Sequence, residues 1–187
     1  MLSVIIPTQN SERALVSTLA ALVPAAMEGF VAEVVIADAG SHDDTAAVAD
    51  VAGCKFRPLE GPLGKRLKTA AASARAPWLL FLRPGTVLDA PWIGEARRFI
   101  ERTSTRTCAA TFRRGVPAQP ALGEVVSLLA AALGAKPRPE QGLIIAKRFY
   151  ENIGGHAEGA ADPEADLIRR IGRRRLMRLA SIASTIG

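Results

Sequence analysis

Four short apolar runs, the first three each followed by a helix-forming stretch, constrain what the first 82 residues can become. Leu2-Ser3-Val4-Ile5-Ile6 is β-branched and closed by Pro7, which by length and composition predicts a buried strand. Leu15, Leu19 and Leu22 then recur on one helical face, and Asn10 or Ser11 is available as the cap. Glu33-Val34-Val35-Ile36-Ala37 predicts a second strand, stopped by Asp38-Ala39-Gly40-Ser41. An alanine-rich helix is expected to start at Asp43 or Asp44 and run to about Val51. Cys54-Lys55-Phe56-Arg57 is a weaker third strand, residues 63–75 a helix, and Pro77–Leu82 a fourth strand. Strands alternating with helices imply βαβ units and a parallel sheet. Ligands bind such sheets beyond the carboxyl ends of the strands. Those ends are Pro7–Asn10, Asp38–Ser41, Pro58–Gly64 and Arg83–Thr86, the segments richest in polar and turn residues.

Composition narrows the class. A chain of 187 residues, 49% of them hydrophobic, is long enough for one domain with a real core. A charged fraction of 22% excludes a disordered tail. The longest uncharged segments, Ala14–Met27 and Val125–Ala135, are too short to span a bilayer. No basic start precedes the first apolar run, so no signal peptide is read. Cys54 and Cys108 form no Cys-x-x-Cys pair and read as buried thiols of a reducing cytoplasm. Residues 114–142 carry four prolines and read as an insertion or loop.

The net charge of +6 divides unevenly. Residues 1–54 carry a net −6, residues 55–83 a net +6, and residues 101–187 hold 14 bases against 8 acids. Such a balance suggests anionic partners. With 5% aromatic residues, none interleaved with the bases, nucleic acid is not among the expected ones.

Three stretches carry a resemblance. Ser3-Val4-Ile5-Ile6-Pro7-Thr8-x-Asn10, Val35–Thr45 with its Asp38-Ala39-Gly40-Ser41-x-Asp43-Asp44, and Trp78–Leu82 resemble the nucleotide-binding half of family 2 glycosyltransferases. Further on, Gln141–Ile145, Ile153-Gly154-Gly155 and Asp162–Leu167 resemble the acceptor-side half. The resemblance implies an α/β fold of the GT-A (Rossmann-like) type, a three-layer sandwich with a mostly parallel central sheet. It implies one domain over residues 1–187: a nucleotide-binding half at 1–100 and an acceptor-side half at 101–187, the latter shortened relative to longer members. It implies that Pro7, Thr8 and Asn10 lie against base and ribose, and that Asp38 accepts a hydrogen bond from a base N–H. Read from the residues alone, Asp38 is equally a turn residue bonding its own backbone, and Asp43 a helix cap.

The chain departs from the family at two places. Where the family has a metal-holding Asp-x-Asp, this sequence reads Arg83-Pro84-Gly85-Thr86. Unit charges about 5 Å apart at an effective dielectric near 20 interact by roughly 3 kcal/mol, so Arg83 would repel a divalent ion about twice as strongly. The Mg or Mn ion typical of the family is therefore not expected here. Lys65, Arg66, Lys68 and Arg83, with Gly64 at the turn, could neutralise a diphosphate instead. A solvated helix face and a plain type II turn are the bland alternatives. Where the family has its acidic pair, Pro163-Glu164 stands, so Glu164 aligns with the base that deprotonates the acceptor, with Asp166 as a neighbour able to substitute. Asp162 also suits the cap of a helix starting at Pro163. His156, where the family more often has an aromatic, reads as an exposed turn residue, with contact to an acceptor as the alternative. The arginine run 169–178 offers Arg174 or Arg175 to the diphosphate, and the remainder to a solvated helix end or an anionic membrane surface. The resulting expectation is a cytoplasmic inverting glycosyltransferase that uses a UDP- or GDP-sugar and an unidentified hydroxyl acceptor. The alternative is a catalytically silent homologue that binds nucleotide or protein.

Overall fold

The computed structural model describes residues 1–103, 107–115 and 141–185. The predicted alternation is present: β1 (Leu2–Thr8), α1 (Glu12–Met27), β2 (Val31–Asp38), α2 (Thr45–Val51), β3 (Lys55–Pro58), α3 (Leu63–Ser73) and β4 (Trp78–Phe81). β5 (Thr86–Leu88), α4 (Trp92–Arg102), β6 (Ala109–Arg114), β7 (Leu143–Ala146), α5 (Lys147–Asn152), α6 (Pro163–Ile171) and β8 (Leu176–Thr185) follow. Most of the proline-bearing stretch 114–142 lies outside the described residues.

Eight strands form one sheet in the order β3-β2-β1-β4-β7-β6-β8-β5. β1 pairs in parallel with β2 and β4, and β2 with β3. β7 runs against both β4 and β6, β8 lies parallel to β6, and β5 runs against β8. Only β5 and β7 therefore oppose the common direction. Right-handed crossovers put α1 and α2 on one face. The connection from β3 back past β1 to β4 reverses direction and puts α3 on the other face. That reversal opens a crevice between the carboxyl ends of β1 and β4, where open α/β sheets bind ligands.

The core lies on both faces. Val4, Ile5, Ile6, Val35, Ile36, Leu79 and Leu80 are fully buried in the central strands, and Leu15, Leu67 and Trp92 cover them from the helices. Pro7 continues β1 instead of closing it. It pairs with Ala37 of β2, while pairing to β4 stops at Ile5, so its missing N–H falls where only one neighbour is bonded. The expected α1 cap is also different. Ser11 makes no cap bond; the Glu12 N–H is taken by Asp43 Oδ2 at 3.1 Å, and Asp43 Oδ1 accepts the Thr45 N–H at 3.1 Å. One carboxylate thus holds the first turns of two helices. Cys54 and Cys108 are free and half-buried, and burial pushes the Cys54 thiol up to about 11.

Candidate functional site

The carboxyl edge of the sheet gathers most of the residues singled out above. Thr8 and Asp38 end neighbouring strands and are both buried. Asp38 Oδ1 accepts from Thr8 Oγ1 at 2.6 Å and Ser41 Oγ at 2.5 Å; Oδ2 accepts from the Gly40 and Ser41 N–H groups at 2.8 and 2.7 Å. Burial raises its pKa, but the bonds from Ser41, Thr8 and Gly40 together outweigh that and hold the carboxyl below the usual range. A carboxylate offers about four acceptor positions, and here four bonds from the protein use them. The side chain thereby shapes the turn, the second of the two readings of Asp38. Asn10, at φ 48, donates its N–H to Ser41 Oγ at 2.8 Å and accepts the His42 N–H at 2.8 Å. The β1–α1 and β2–α2 loops are latched together, with Asn10 exposed above the latch and Pro7 half-buried behind it.

The basic cluster divides by burial. Lys65 is exposed. Lys68 is exposed and pairs with Glu158 at 3.5 Å. Arg66 is buried, its Nη1 donating to Ala37 O at 2.8 Å and more loosely to Thr8 O at 3.4 Å. Burial lowers its pKa and the nearby Asp38 opposes the shift. Arg66 therefore braces the ends of β1 and β2 from beneath, and is not the solvated base its place in a charge run suggested. Gly64 is buried against another loop: a Cβ there would stand 2.2 Å from Ala157 O. Gly64 therefore has a packing role, because the Ala157 backbone occupies the space beside it.

Arg83 opens the turn after β4. Gly85 has φ 84, and the Thr86 N–H reaches Arg83 O at 3.1 Å, as a type II turn requires. The side chain points across the crevice to the first turn of α6. Its Nε donates to Glu164 Oε2 at 2.9 Å, and its Nη2 donates to the same oxygen. Side-chain exposure is 39% for Arg83 and 10% for Glu164. The proposed phosphate ligand and the proposed base are therefore one ion pair, joining positions 81 residues apart. Neither residue's neighbourhood in the chain signals this; the only hint is a cation at a position where the family carries acids.

Beside the pair is a small cleft lined by Phe81, Gly142, Leu143, His156, Glu164 and Ile168. Glu164 is the carboxylate in that lining, so the geometry separates it from Asp166. Asp166 Oδ1 and Oδ2 are held by Arg169 and by Arg170 at 2.7 Å; these bonds lower its pKa. Arg170 continues to Ile153 O and Gly155 O at 2.6 and 2.5 Å. Asp166 thus anchors the glycine loop to α6 through Arg170. Asp162 caps α6 as expected, accepting the Ala165 N–H at 2.9 Å.

His156 is fully buried, not exposed. Its Nδ1 lies 2.9 Å from the Tyr150 hydroxyl, and its ring meets Phe81 edge-on at 4.8 Å. Burial, with help from Arg170 and against Asp166, lowers its pKa to about 3, so the ring is neutral. The arginine run is split as well. β8 starts level with Ala109, at the amino edge of the sheet, so Arg173–Arg175, just before it, lie at the edge opposite Arg83. Arg175 sits over the Phe149 ring at 5.8 Å. Neither Arg174 nor Arg175 completes a site at the carboxyl edge.

No curated protein matches the chain. Among solved structures, S. aureus TarS 1–349 aligns with a TM-score of 0.74 at 20% identity, over 98% of this chain and 60% of that one. TarS is also known in complex with UDP-GlcNAc. Glucosyl-3-phosphoglycerate synthase from Mycobacterium tuberculosis, in complex with Mn2+, UDP and phosphoglyceric acid, aligns with a TM-score of 0.72 at 15% identity, over 100% of this chain and 71% of that one. The chain thus spans three fifths of the TarS structure's length. The shared architecture is the GT-A fold, α/β with a mostly parallel sheet. In the turn after β4, residues 83–86 carry the Arg83 guanidinium and no carboxylate of their own, with Glu164 reaching Arg83 from α6. Among the described residues no three His, Cys, Asp or Glu side chains gather as metal ligands. Nor is any described helix long and apolar enough to cross a membrane. The model of the family described as Glycosyl transferase family 2 matches residues 3–119, and on that match, which takes in more than half of its length, the chain belongs to glycosyl transferase family 2.

Proposed function

We propose that the chain binds a nucleoside-diphosphate sugar, with uridine or guanosine as the nucleoside, at the carboxyl edge and transfers the sugar with inversion to a hydroxyl acceptor. The reading is carried by one observation: Arg83 and Glu164 meet at the carboxyl end of β4, beside a cleft whose lining carboxylate is Glu164. In the reaction the acceptor oxygen attacks the anomeric carbon as the bond from that carbon to the diphosphate breaks. The acceptor proton passes to Glu164, and Arg83, with the exposed Lys65 of α3, offsets the charge on the departing diphosphate. Guanidinium and ammonium groups stand in for a metal in this scheme. Residues 1–100 serve as the nucleotide half, with the Asn10–Ser41 latch as a preformed seat, and residues 101–187 as the acceptor half. UDP bound to TarS and to the mycobacterial synthase supports the nucleotide assignment.

Calorimetry with UDP and GDP, with and without Mn2+, tests this. Binding unaffected by the metal is expected; binding that requires it removes the role given to Arg83. Turnover is read as nucleoside diphosphate released from UDP- or GDP-sugars, and Glu164→Gln should abolish it. A second reading, a silent nucleotide-binding homologue, is favoured by the two hydrogen bonds from Arg83 to Glu164 Oε2, which engage the base. It predicts nucleotide binding without release of diphosphate from any donor.

A further inference from the structure

Strands β1, β2, β3, β4, β6 and β8 all start at the amino edge of the sheet. The helices after β1 and β2 run back and end there, α1 just before Phe30, whose carbonyl takes the Leu2 N–H, and α2 just before β3. Among the described residues, the four most exposed large apolar side chains lie at this edge. Val51 (89%) ends α2, Met27 (84%) ends α1, Met1 (62%) precedes β1, and Met177 (52%) is the second residue of β8. Apolar residues scattered singly over a surface need no explanation; these come from four separate segments and gather on one side. Bases gather with them. Arg173, Arg174 and Arg175 are exposed and lead into β8 beside Met177. Lys55 and Arg75 flank Glu33, whose side chain is 3% exposed. Among the exposed acids there, Glu28 is paired with Arg97 at 3.2 Å, Glu151 shares α5 with Arg148, and Asp50 stands next to Val51.

We infer that the amino edge is a docking face for an anionic lipid bilayer, with Met27, Val51 and Met177 entering the interface and Arg173–Arg175 held at the headgroups. The proposal stands apart from the nucleotide-sugar reading. Apolar tips set among cations suit that partner: the cations meet lipid phosphates and carboxylates, and the tips enter the boundary between headgroups and acyl chains. A nucleic acid would satisfy the arginines and gain little from Met27 and Val51. A second copy of the chain, paired through this same edge, would set the arginines of both copies against each other. The arginine run alone draws the chain to a charged surface; the apolar tips, carried near both ends of the strand order, fix which side meets it. Docked so, the strands stand on the bilayer. β1 has seven residues, which at about 3.3 Å each hold the carboxyl edge, with Arg83 and the nucleotide loops, roughly 20 Å out in the water.

The experiment is co-sedimentation of the unaltered chain and its variants with phosphatidylcholine vesicles, with and without phosphatidylserine. Binding is expected with phosphatidylserine and should weaken as salt is raised. Met27→Ser combined with Val51→Ser keeps every charge. It should weaken binding by about tenfold or more and leave the salt dependence as it was. Met177→Ser, on a different element, should weaken it by about fivefold. Val16→Ser changes an exposed valine near the other end of α1 and should bind as the unaltered chain does. All four side chains are exposed, so equal urea midpoints are expected and show that each variant is folded. Failure of the unaltered chain to bind phosphatidylserine vesicles overturns the proposal. So does binding that ignores both apolar changes, which leaves adsorption by the arginines alone, and so does an equal loss with Val16→Ser. A dimer in sedimentation velocity that Met27→Ser with Val51→Ser turns into a monomer gives the face to a second copy and overturns it as well.

Discussion

His156 differs most from its first reading. A histidine after two glycines looks solvent-exposed, yet the chain folds it under Phe81 and against Tyr150. The Tyr150 hydroxyl also accepts the His156 N–H at 3.1 Å, and burial raises the phenol to about 12. With a folded pKa of about 3 and an unfolded value near 6.5, the unfolded chain binds the extra proton between those limits. Stability contributed by the neutral ring is then fully present above about pH 6.5 and is lost as pH falls toward 3. Urea unfolding across that window should show a slope approaching about 1.4 kcal/mol per pH unit from this group. His156→Gln, which leaves an acceptor for the Tyr150 hydroxyl, should flatten it. An unchanged profile would mean that the ring titrates normally.

Elements were legible where one run of residues carried its own period. β1, β2 and β4 announced themselves as apolar runs, and α3 ended within two residues of its expected limit. β8 did not, because Arg173-Arg174-Arg175 and Arg178 read as a charged helix face, whereas the strand buries Leu179, Ser181 and Ala183 alternately. The site followed the same division. Local features were visible: the Asp162 cap, the Pro84-Gly85 turn, the Asp38 turn as one of two readings. Contacts across the fold were not: Asp43 on the Glu12 N–H, Arg66 beneath two strand ends, Arg83 on Glu164. Each depends on which strands become neighbours, and the strand order is a property of the folded sheet. The latch between the β1–α1 and β2–α2 loops gives an element-scale prediction. Ser41→Ala removes the hydroxyl that bonds both Asp38 and Asn10. About 1 kcal/mol of stability should be lost per net bond, visible in the urea midpoint. UDP or GDP affinity should fall by more than that loss explains, since the loops lose their fixed spacing. An affinity equal to that of the unaltered chain would show that the latch serves stability only.

At the scale of the molecule, the two charged edges are separate. The carboxyl edge holds Arg83 and the nucleotide loops; the amino edge holds Arg173–Arg175, all exposed. The expected contact with an anionic membrane therefore belongs to the edge facing away from the site. At about 1 kcal/mol per base near such a surface, replacing Arg173, Arg174 and Arg175 together by Gln should abolish co-sedimentation with phosphatidylserine-containing vesicles. Nucleotide affinity should stay within about twofold, below the roughly 1 kcal/mol at which contacts count. A large loss of nucleotide affinity would mean that the two edges communicate.

The sheet order also has a consequence for how the chain is made. β5 reaches the sheet only through β8, which is inserted between it and β6. Among the described strands, residues 86–88 therefore have none to pair with until residues 183–185 follow them from the ribosome. At about 5–20 residues per second that interval is about 5–20 s. Through it α1, which packs on β5, rests on an unfinished floor, and the nascent chain has an open edge for a chaperone to cover.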